Sequence, residues 1–167
     1  MTVIVRNETA TDVAKASEII EAAFRDHPHS DGSESRIVQR LRTNGDLAIS
    51  LVAEDGNLLV GYAAFSPVTL SPTAPGWYGL GPVAVHPSHQ AQGIGSALIH
   101  HGLNELISRG ASGCVVFGSS GYYERFGFLP HAQLRYPGGP EQLFLARAFA
   151  GAVPQGTVAY SAAFGNT

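Results

Sequence analysis

Residues 83–96 read VAVHPSHQAQGIGS, and this stretch sets the main requirement on the fold. An apolar strand ends at Val85, a polar loop follows, and Gly93 and Gly95 open a long amphipathic helix that runs to Arg109. The start of a helix carries about four unpaired N–H groups and about half a positive charge. Glycine also allows a ligand to approach the main chain closely. The stretch therefore predicts a binding site for a pyrophosphate-bearing cofactor beside the end of a strand.

The sequence of this loop indicates which cofactor to expect. The dinucleotide motif Gly-x-Gly-x-x-Gly is absent from it, and a P-loop is absent because the only lysine, Lys15, lies elsewhere. Residues 90–95 read QAQGIG and match the pattern Gln/Arg-x-x-Gly-x-Gly. They thereby resemble the acetyl-CoA pyrophosphate signature of the GNAT superfamily of N-acetyltransferases. Taken alone, the hexapeptide also fits an ordinary helix that opens with glycine.

A second motif follows the next apolar strand of the sequence. Residues 118–128 read GSSGYYERFGF, and within them Tyr123-x-x-x-Gly127-Phe128 resembles the GNAT Tyr-x-x-x-Gly-Phe signature. The longer form Tyr-Tyr-x-Arg-Phe-Gly-Phe is similar to one subgroup of predicted N-acetyltransferases, and residues 156–164 are similar to the end of that subgroup. Because three motifs occur in order, the resemblance covers nearly the whole chain. The subgroup often has Asp or His followed by Pro where this chain has Ser119 and Ser120.

The hydrophobic pattern predicts an α+β organisation in which a strand–helix–strand unit makes a right-handed parallel crossover. The predicted helices cover residues 13–24, 33–41, 93–109 and 122–126. The predicted strands cover residues 3–6, 47–53, 58–65, 77–85, 114–117, 142–149 and 157–160. The resemblance implies a single N-acetyltransferase domain over residues 1–167 with the GNAT fold. In that fold a mixed, mostly antiparallel sheet is flanked by helices, and its central parallel strands, here 77–85 and 114–117, splay apart.

The resemblance also implies where acetyl-CoA, the co-substrate of the family, binds. Main-chain groups of Val83 and Val85 would bond its pantetheine arm and acetyl carbonyl, and the amides of residues 90–96 would hold its pyrophosphate. The expected cofactor-binding residues are Val83, Ala84, Val85, Gln90, Ala91, Gln92, Gly93, Ile94, Gly95, Ser96, Ser119 and Tyr122.

The expected reaction is direct attack of an acceptor amine on the thioester. The departing thiolate needs a proton, and a tyrosine hydroxyl can supply it as a general acid. The family position of that tyrosine is Tyr123, whereas Tyr122 is the alternative acid if Tyr123 is a core aromatic. Strand 77–85 contains no carboxylate. We therefore expect the amine to lose its proton through ordered water, assisted by Tyr78 or a main-chain carbonyl.

Other reactive residues of the sequence have simpler interpretations. Cys114, the only cysteine, lies in an apolar strand, where thiols usually pack without reacting. Adjacent His100 and His101 point to different faces of a helix, and His27 and His29 flank a proline in a polar loop that we expect to be solvated. His86 and His89 lie in the loop before the phosphate motif. We expect no metal site.

Composition excludes several classes of protein. Hydrophobic residues make up 44% and charged residues 14%, which argues against a disordered chain. The formal net charge is -3 and no basic block occurs, so nucleic acid and membrane surfaces are not expected partners. Charges within the first eight residues do not fit a secretory leader. With a single cysteine, these features favour a cytoplasmic location.

The sequence thus predicts an acetyl-CoA-dependent N-acetyltransferase that acts on a primary amine, carried by a small molecule or by a protein. A homodimer is compatible with this assignment. Two rival hypotheses remain, namely a non-catalytic acyl-CoA-binding or regulatory module and an interaction subunit that uses the fold as a scaffold. Acceptor loops are the most variable surfaces of a scaffold, so the acceptor is not identified.

Overall fold

The computed structural model describes residues 2–28 and 30–165 of the 167-residue chain. The helices are α1 (Val13–Phe24), α2 (Glu34–Asn44), α3 (Ile94–Ser108) and α4 (Ser120–Tyr123). The strands are β1 (Val3–Asn7), β2 (Ile49–Asp55), β3 (Leu58–Pro67), β4 (Thr69–Ser71), β5 (Trp77–Val85), β6 (Gly113–Phe117), β7 (Leu134–Arg135), β8 (Phe144–Ala148) and β9 (Gly156–Ala159). The first compact unit comprises the chain up to Phe65 with Gly81–Gly102, and the second comprises Ser66–Leu80 with the chain from Leu103 onward.

The first unit is built on antiparallel strands. Strand β1 pairs with β2, and β2 pairs with β3 through a tight turn in which Gly56 has a φ of 64°. Strand β5 follows β3 in the strand order, and the N–H of His86, just after the end of β5, donates to the carbonyl of Val60 at 2.8 Å. This main-chain bond fixes the chain at the point where β5 leads into the predicted phosphate loop.

Helices cover both faces of the sheet in the first unit. Helix α1 buries Ala16, Ile19 and Ile20 in one hydrophobic cluster with Tyr62 of β3. Gly61 faces the other way, since neighbouring residues of a strand point to opposite faces. A Cβ at Gly61 would stand 3.0 Å from side-chain atoms of Ile94 and Leu98 in α3. Close packing on this glycine therefore holds α3 against the sheet.

The second unit combines parallel and antiparallel pairing. The N-terminal half of β5 pairs with β6 in parallel, from Trp77↔Gly113 to Leu80↔Val116, and β6 pairs with β8 in antiparallel register. A separate three-stranded sheet has the order β4-β9-β7. Its core contains Val68, Leu70, Leu134 and Val158 together with Trp77 and Phe144.

The structure confirms the predicted α+β class and the parallel crossover, and it corrects several boundaries. Helix α2 continues to Asn44, where Gly45 ends it with a φ of 77°. The helix predicted over 122–126 is α4 followed by a 3-10 turn over Glu124–Phe126. Strands β4 and β7 were not predicted. Strands of two or three residues carry too little periodicity to be recognised. One domain over residues 1–167 stays a prediction.

Candidate functional site

The chain leaves β5 through a turn that is braced by side chains. His86 Nδ1 lies 2.8 Å from the Ser88 hydroxyl, and the N–H of Ser88 donates to the same ring nitrogen at 3.2 Å. A short 3-10 helix over Pro87–His89 follows, and His89 Nε2 lies 3.7 Å from Asp55 Oδ2 in the hairpin of the first unit. These contacts fix the start of the loop, and none of the residues involved was expected to bind the cofactor.

Gln90 begins the predicted phosphate loop and has a structural contact of its own. Its side-chain amide donates to the carbonyl oxygen of Val85 at 3.1 Å. Ala84 is buried in the core of the first unit, whereas Val83 and Val85 are half-buried. Ala84 can therefore offer only main-chain atoms to a ligand.

Two residues of the loop adopt left-handed backbone conformations. Ala91 has a φ of 62° and Gly93 a φ of 82°. A left-handed conformation is uncommon for a residue with a side chain and marks local strain, which is concentrated at functional sites. Alternation of left-handed and right-handed residues forms concave arrays of N–H groups that bind anions. A Cβ at Gly93 would meet nothing within 4 Å, so the space beside it is open.

The loop leads directly into the first turn of α3. Ala97 donates to the carbonyl of Gly93 at 3.0 Å, which places the N–H groups of Ile94, Gly95 and Ser96 ahead of the helical hydrogen-bond pattern. The helix start adds a partial positive charge of about half a unit. Residues 90–96 therefore have the chemistry of an anion site, as their sequence indicates. Gln92 is exposed in the same loop.

The second predicted cluster lies on α4, in the second unit. The rings of Tyr122 and Tyr123 are 5.0 Å apart, and both side chains are half-buried. Tyr122 is held from outside, since the Arg125 guanidinium lies 4.7 Å from its ring centroid. Tyr123 packs inward, 6.0 Å from the ring of buried Phe128. Ser119 is exposed before α4, and its carbonyl accepts from the N–H of Tyr123 at 3.0 Å.

Tyr123 is held tightly against the end of β6. A Cβ at Gly118 would stand 2.6 Å from Cε2 of the Tyr123 ring. Burial, with smaller contributions from Tyr122 and Cys114, raises the pKa of Tyr123 to about 12. Its hydroxyl is therefore protonated at neutral pH, which a general acid requires.

Cys114 has the environment of an inert thiol. It is fully buried in β6, and its S–H donates to the carbonyl of Val115 at 3.6 Å. Burial raises the pKa of the thiol well above its usual value, against a smaller opposing effect of Arg147. Because the thiolate is the nucleophile, this thiol is unreactive.

Tyr160 is a feature of the second unit that the sequence did not single out. Its hydroxyl oxygen is buried and has no hydrogen-bond partner among the described residues. Its ring lies T-shaped on Tyr136, with centroids 5.1 Å apart, and a Cβ at Gly79 would stand 2.6 Å from it. Burial, with smaller contributions from Cys114, Tyr136 and Tyr123, raises the pKa of Tyr160 well above its usual value, and we call Tyr123, Tyr136 and Tyr160 the tyrosine cluster. The motif over 156–164 contains Tyr160 but gives no indication of its surroundings.

The second unit also contains a cavity of about 870 Å³. Its lining combines apolar side chains such as Leu134 and Phe144 with His131, Arg135 and Glu141. No sequence pattern indicated this cavity, because its walls come from short segments between residues 130 and 157.

The described residues contain no group of three or more His, Cys, Asp or Glu side chains placed to hold a metal ion. His29, one of the histidines considered from the sequence, lies outside the described residues. Within the described part of the chain, every helix is too short or too polar to span a bilayer.

In this α+β fold, strand β5 leads through a left-handed loop into the start of α3. Such an arrangement is typical of proteins that bind phosphorylated cofactors. This chain belongs to the GNAT family of N-acetyltransferases, since the model of the "Acetyltransferase (GNAT) family" matches residues 15–128. The family inferred from the three sequence motifs is thereby confirmed.

Similar proteins agree with this assignment. The uncharacterized N-acetyltransferase YhbS of Escherichia coli K12 is 37% identical over 124 residues, which cover 71% of this chain and 74% of YhbS. A crystal structure of a GNAT family acetyltransferase from Brucella melitensis in complex with acetyl-CoA has a TM-score of 0.88 and 43% identity, covering 98% of this chain and 99% of that one. The crystal structure of E. coli YhbS in complex with CoA has a TM-score of 0.83 and 32% identity, with coverage of 97% and 91%.

Proposed function

We propose that this protein transfers the acetyl group of acetyl-CoA directly to a primary amine. The observation that carries the proposal is the loop before α3, where left-handed Ala91 and Gly93 precede the first turn of the helix, whose N–H groups have no partner within the helix. Such a loop suits a pyrophosphate, because main-chain donors and the helix dipole both favour negative charge. The similar proteins from B. melitensis and E. coli were crystallised with acetyl-CoA and with CoA, which supports the same ligand here.

Each part of the proposed cofactor site has a separate role. Residues Gln90, Ala91, Gln92, Gly93, Ile94, Gly95 and Ser96 would hold the pyrophosphate, chiefly through main-chain N–H groups. Main-chain atoms of Val83, Ala84 and Val85 would bond the pantetheine arm. Ser119 and Tyr122 would contact the cofactor from the segment that contains Tyr123. The cofactor is a substrate of this reaction, and the proposed site needs no metal.

Tyr123 is the proposed general acid. A thiol in water has a pKa of about 8.5, so a phenol with a pKa of about 12 is a poor proton donor to a solvated thiolate. Burial raises the pKa of thiols as well, as it does for Cys114 of the same unit. A thiolate leaving into a desolvated site is thus a stronger base than in water. The pKa of the leaving thiol therefore moves closer to that of Tyr123.

The proposal requires direct transfer rather than an acetylated enzyme. The only cysteine of the chain is Cys114, and its burial and raised pKa disfavour a thiolate that could accept the acetyl group. The acceptor amine must then attack the thioester itself.

Two measurements on the same preparation test the proposal. Calorimetry should show acetyl-CoA binding, and a thiol-release assay with a panel of primary amines should show turnover, with the acetylated product identified by mass spectrometry. Binding without turnover on any amine would favour the non-catalytic acyl-CoA-binding module. Absence of both binding and turnover would favour a scaffold protein and contradict the proposal.

A further inference from the structure

The cavity of the second unit has an aromatic wall at the end of β6. Tyr136 and Phe144 both line the cavity, and their ring centroids are 5.5 Å apart. Phe117, the last residue of β6, is 40% exposed, and its ring lies T-shaped on Tyr136 at 6.0 Å. Exposed apolar surface beside a cavity is typical of a ligand site. The volume of about 870 Å³ lies within the usual range for small-molecule sites, about 300–1,000 Å³.

The end of β6 also connects this cavity with the proposed general acid. The N–H of Gly118 donates to the carbonyl of Leu143 at 2.8 Å. Both sequence neighbours of Leu143, namely Gln142 and Phe144, line the cavity. Gly118 is at the same time the residue on which the Tyr123 ring packs. A ligand in the cavity therefore lies against the segment that positions Tyr123, and all of these residues belong to the second unit.

Arg135 contributes a cation to the lining of the cavity. It is exposed and takes part in no ion pair or side-chain hydrogen bond among the described residues. It is in register with Thr157 of β9, which also lines the cavity, so the two side chains share a face of the sheet. The other arginines of the second unit each have a partner, namely Arg109 with Glu105, Arg125 with Tyr122 and Arg147 with Phe126. A guanidinium without a partner is suited to a carboxylate, which it can bind through two parallel hydrogen bonds.

The charges of the lining indicate how much charge the ligand carries. Glu141 also lines the cavity and, like Arg135, is exposed and without an ion-pair partner among the described residues. Apart from His131, whose charge depends on pH, the lining thus has one positive and one negative side chain. Such a pair is complementary to a ligand with one charge of each sign. A polyamine or a nucleotide would bring surplus charge of one sign, which is costly in a partly desolvated site.

We propose that this cavity binds the acceptor, and that the acceptor is an amino acid with an aromatic or large apolar side chain. The inference rests on the proposed function and names the class of its amine. Arg135 would bind the carboxylate, and the rings of Tyr136 and Phe144 would pack against the side chain. The neutral amine would form a C–N bond with the acetyl carbon as the C–S bond breaks. Its surplus proton would leave through water, and Tyr123 would protonate the thiolate.

Three pairs of ligands test the contact with the carboxylate, because each L-amino acid is compared with the amine that lacks only that group. The pairs are phenylalanine with 2-phenylethylamine, tryptophan with tryptamine, and leucine with 3-methylbutylamine. For the amino acid that the wild-type protein acetylates fastest, Arg135→Gln should raise the KM about fivefold to twentyfold, since a charge-assisted hydrogen bond is lost. The KM of the matching amine, or its inhibition constant where it is not acetylated, should stay unchanged, and so should the Kd of acetyl-CoA.

Two further variants separate the charge of Arg135 from a structural effect. Arg135→Lys keeps the positive charge and should raise the KM of the amino acid less than Arg135→Gln does. Arg40→Gln is the matched control, because it removes the same charge from an exposed position of α2 in the first unit, and it should leave every KM unchanged. The Tm of Arg135→Gln should equal that of the wild type, since Arg135 has no ion pair to lose among the described residues. A measurement that needs no variant is competition, in which the amino acid should inhibit acetylation of its matching amine by the wild-type protein competitively.

Three results would overturn the inference while the proposed function stands. The wild-type protein could acetylate an amine of the panel and neither acetylate nor be inhibited by any of the three amino acids. Arg135→Gln could leave the KM of the amino acid unchanged, or it could raise the constants of both members of a pair equally. Absence of wild-type turnover with every amine and amino acid would instead overturn the proposed function together with this inference, so the two failures are distinguishable.

Discussion

The loop before α3 and the tyrosine cluster offer binding groups of different kinds. The loop, residues 90–96, presents main-chain N–H groups whose arrangement comes from left-handed Ala91 and Gly93 and from the start of α3. The functional groups of the tyrosine cluster are side-chain hydroxyls. Two of its rings are fixed by close contact with glycines, since Tyr123 packs on Gly118 and Tyr160 on Gly79.

This difference determines how each region should respond to mutation. Main-chain N–H groups are retained in most side-chain substitutions. The loop should therefore lose ligand binding only when a new side chain fills the ligand site or repels the ligand. A hydroxyl is lost with a single oxygen atom, so the tyrosine cluster should lose function without losing structure.

Tyr123→Phe should lower kcat while the fold and cofactor binding persist. General acid catalysis typically contributes about 10²–10⁴-fold, and the substitution removes only the hydroxyl from a ring packed on Phe126 and Phe128. Steady-state kinetics should show the loss in kcat, and calorimetry should give an unchanged Kd for acetyl-CoA. An unchanged kcat, with chemistry shown to be rate-limiting, would refute the role of Tyr123. A large loss in Tyr122→Phe instead would transfer the role to its neighbour.

The pH dependence of kcat/KM should follow the ionisation of the acceptor amine rather than that of a basic side chain of the enzyme. Strand β5 has no carboxylate, Glu54 is bonded to Arg6 at 3.2 Å, and His86 to Ser88. With an alkylamine acceptor, kcat/KM should rise about tenfold per pH unit toward the amine pKa of about 10.4. Tyr123, with a pKa of about 12, stays protonated over this range. The measurement is a pH–rate profile from pH 6 to 10.

A different profile would identify a dedicated base. A plateau that begins near pH 7 and disappears in His86→Ala or Glu54→Gln would contradict deprotonation through water. The same substitutions should otherwise leave the slope of the profile unchanged.

Gly95→Glu should weaken acetyl-CoA binding by about tenfold to a hundredfold. The new carboxylate adds bulk and negative charge in the first turn of α3, where hydrogen bonds to a charged group are worth about 1.5–3 kcal/mol each. His101→Glu is the matched control, because it adds the same charge to an exposed position further along the same helix. Calorimetry should show the loss of affinity only in Gly95→Glu. Equal affinities in a folded Gly95→Glu protein would show that the pyrophosphate binds elsewhere.

The same contrast explains how much of the site the sequence could predict. The loop is continuous in sequence, and Gly93 and Gly95 mark it after an apolar strand, so the motif and its place at the start of α3 were correctly predicted. No sequence pattern predicted the left-handed φ of Ala91, since alanine rarely adopts that conformation. The strands long enough to show a pattern were predicted within a few residues.

The tyrosine cluster could be predicted only in part, because its members are distant in sequence. Tyr123 was found by its motif, but Tyr160 comes from the segment after β9 and meets Gly79 of β5 only in the folded unit. That meeting depends on the sheet β4-β9-β7, whose two shortest strands carry no detectable periodicity. Side-chain burial and pairing are properties of tertiary packing, so no local pattern shows that the Tyr160 hydroxyl is buried without a hydrogen-bond partner among the described residues.

Gly118→Ala should lower kcat by displacing Tyr123 without removing its hydroxyl. A Cβ at this position would stand 2.6 Å from the Tyr123 ring, so the ring must shift. Small misplacements of a catalytic group are costly, with about 1 Å worth about 10²-fold. We therefore expect a loss of about threefold to tenfold, smaller than that of Tyr123→Phe. Gly121→Ala is the matched control in the same segment, because its Cβ would lie 3.6 Å from the Ser119 hydroxyl, an ordinary contact.

Combining Tyr123→Phe with Gly118→Ala distinguishes the position of the Tyr123 ring from the chemical role of its hydroxyl. In the background of Tyr123→Phe, Gly118→Ala should have no further effect on kcat, since a displaced ring without a hydroxyl has no proton to misplace. Independent, additive losses in the double variant would show that Gly118 acts through general loosening of the fold. Additive losses would also mean that the tyrosine cluster depends on its main-chain positions, as the loop over residues 90–96 does, and not on its hydroxyl groups alone.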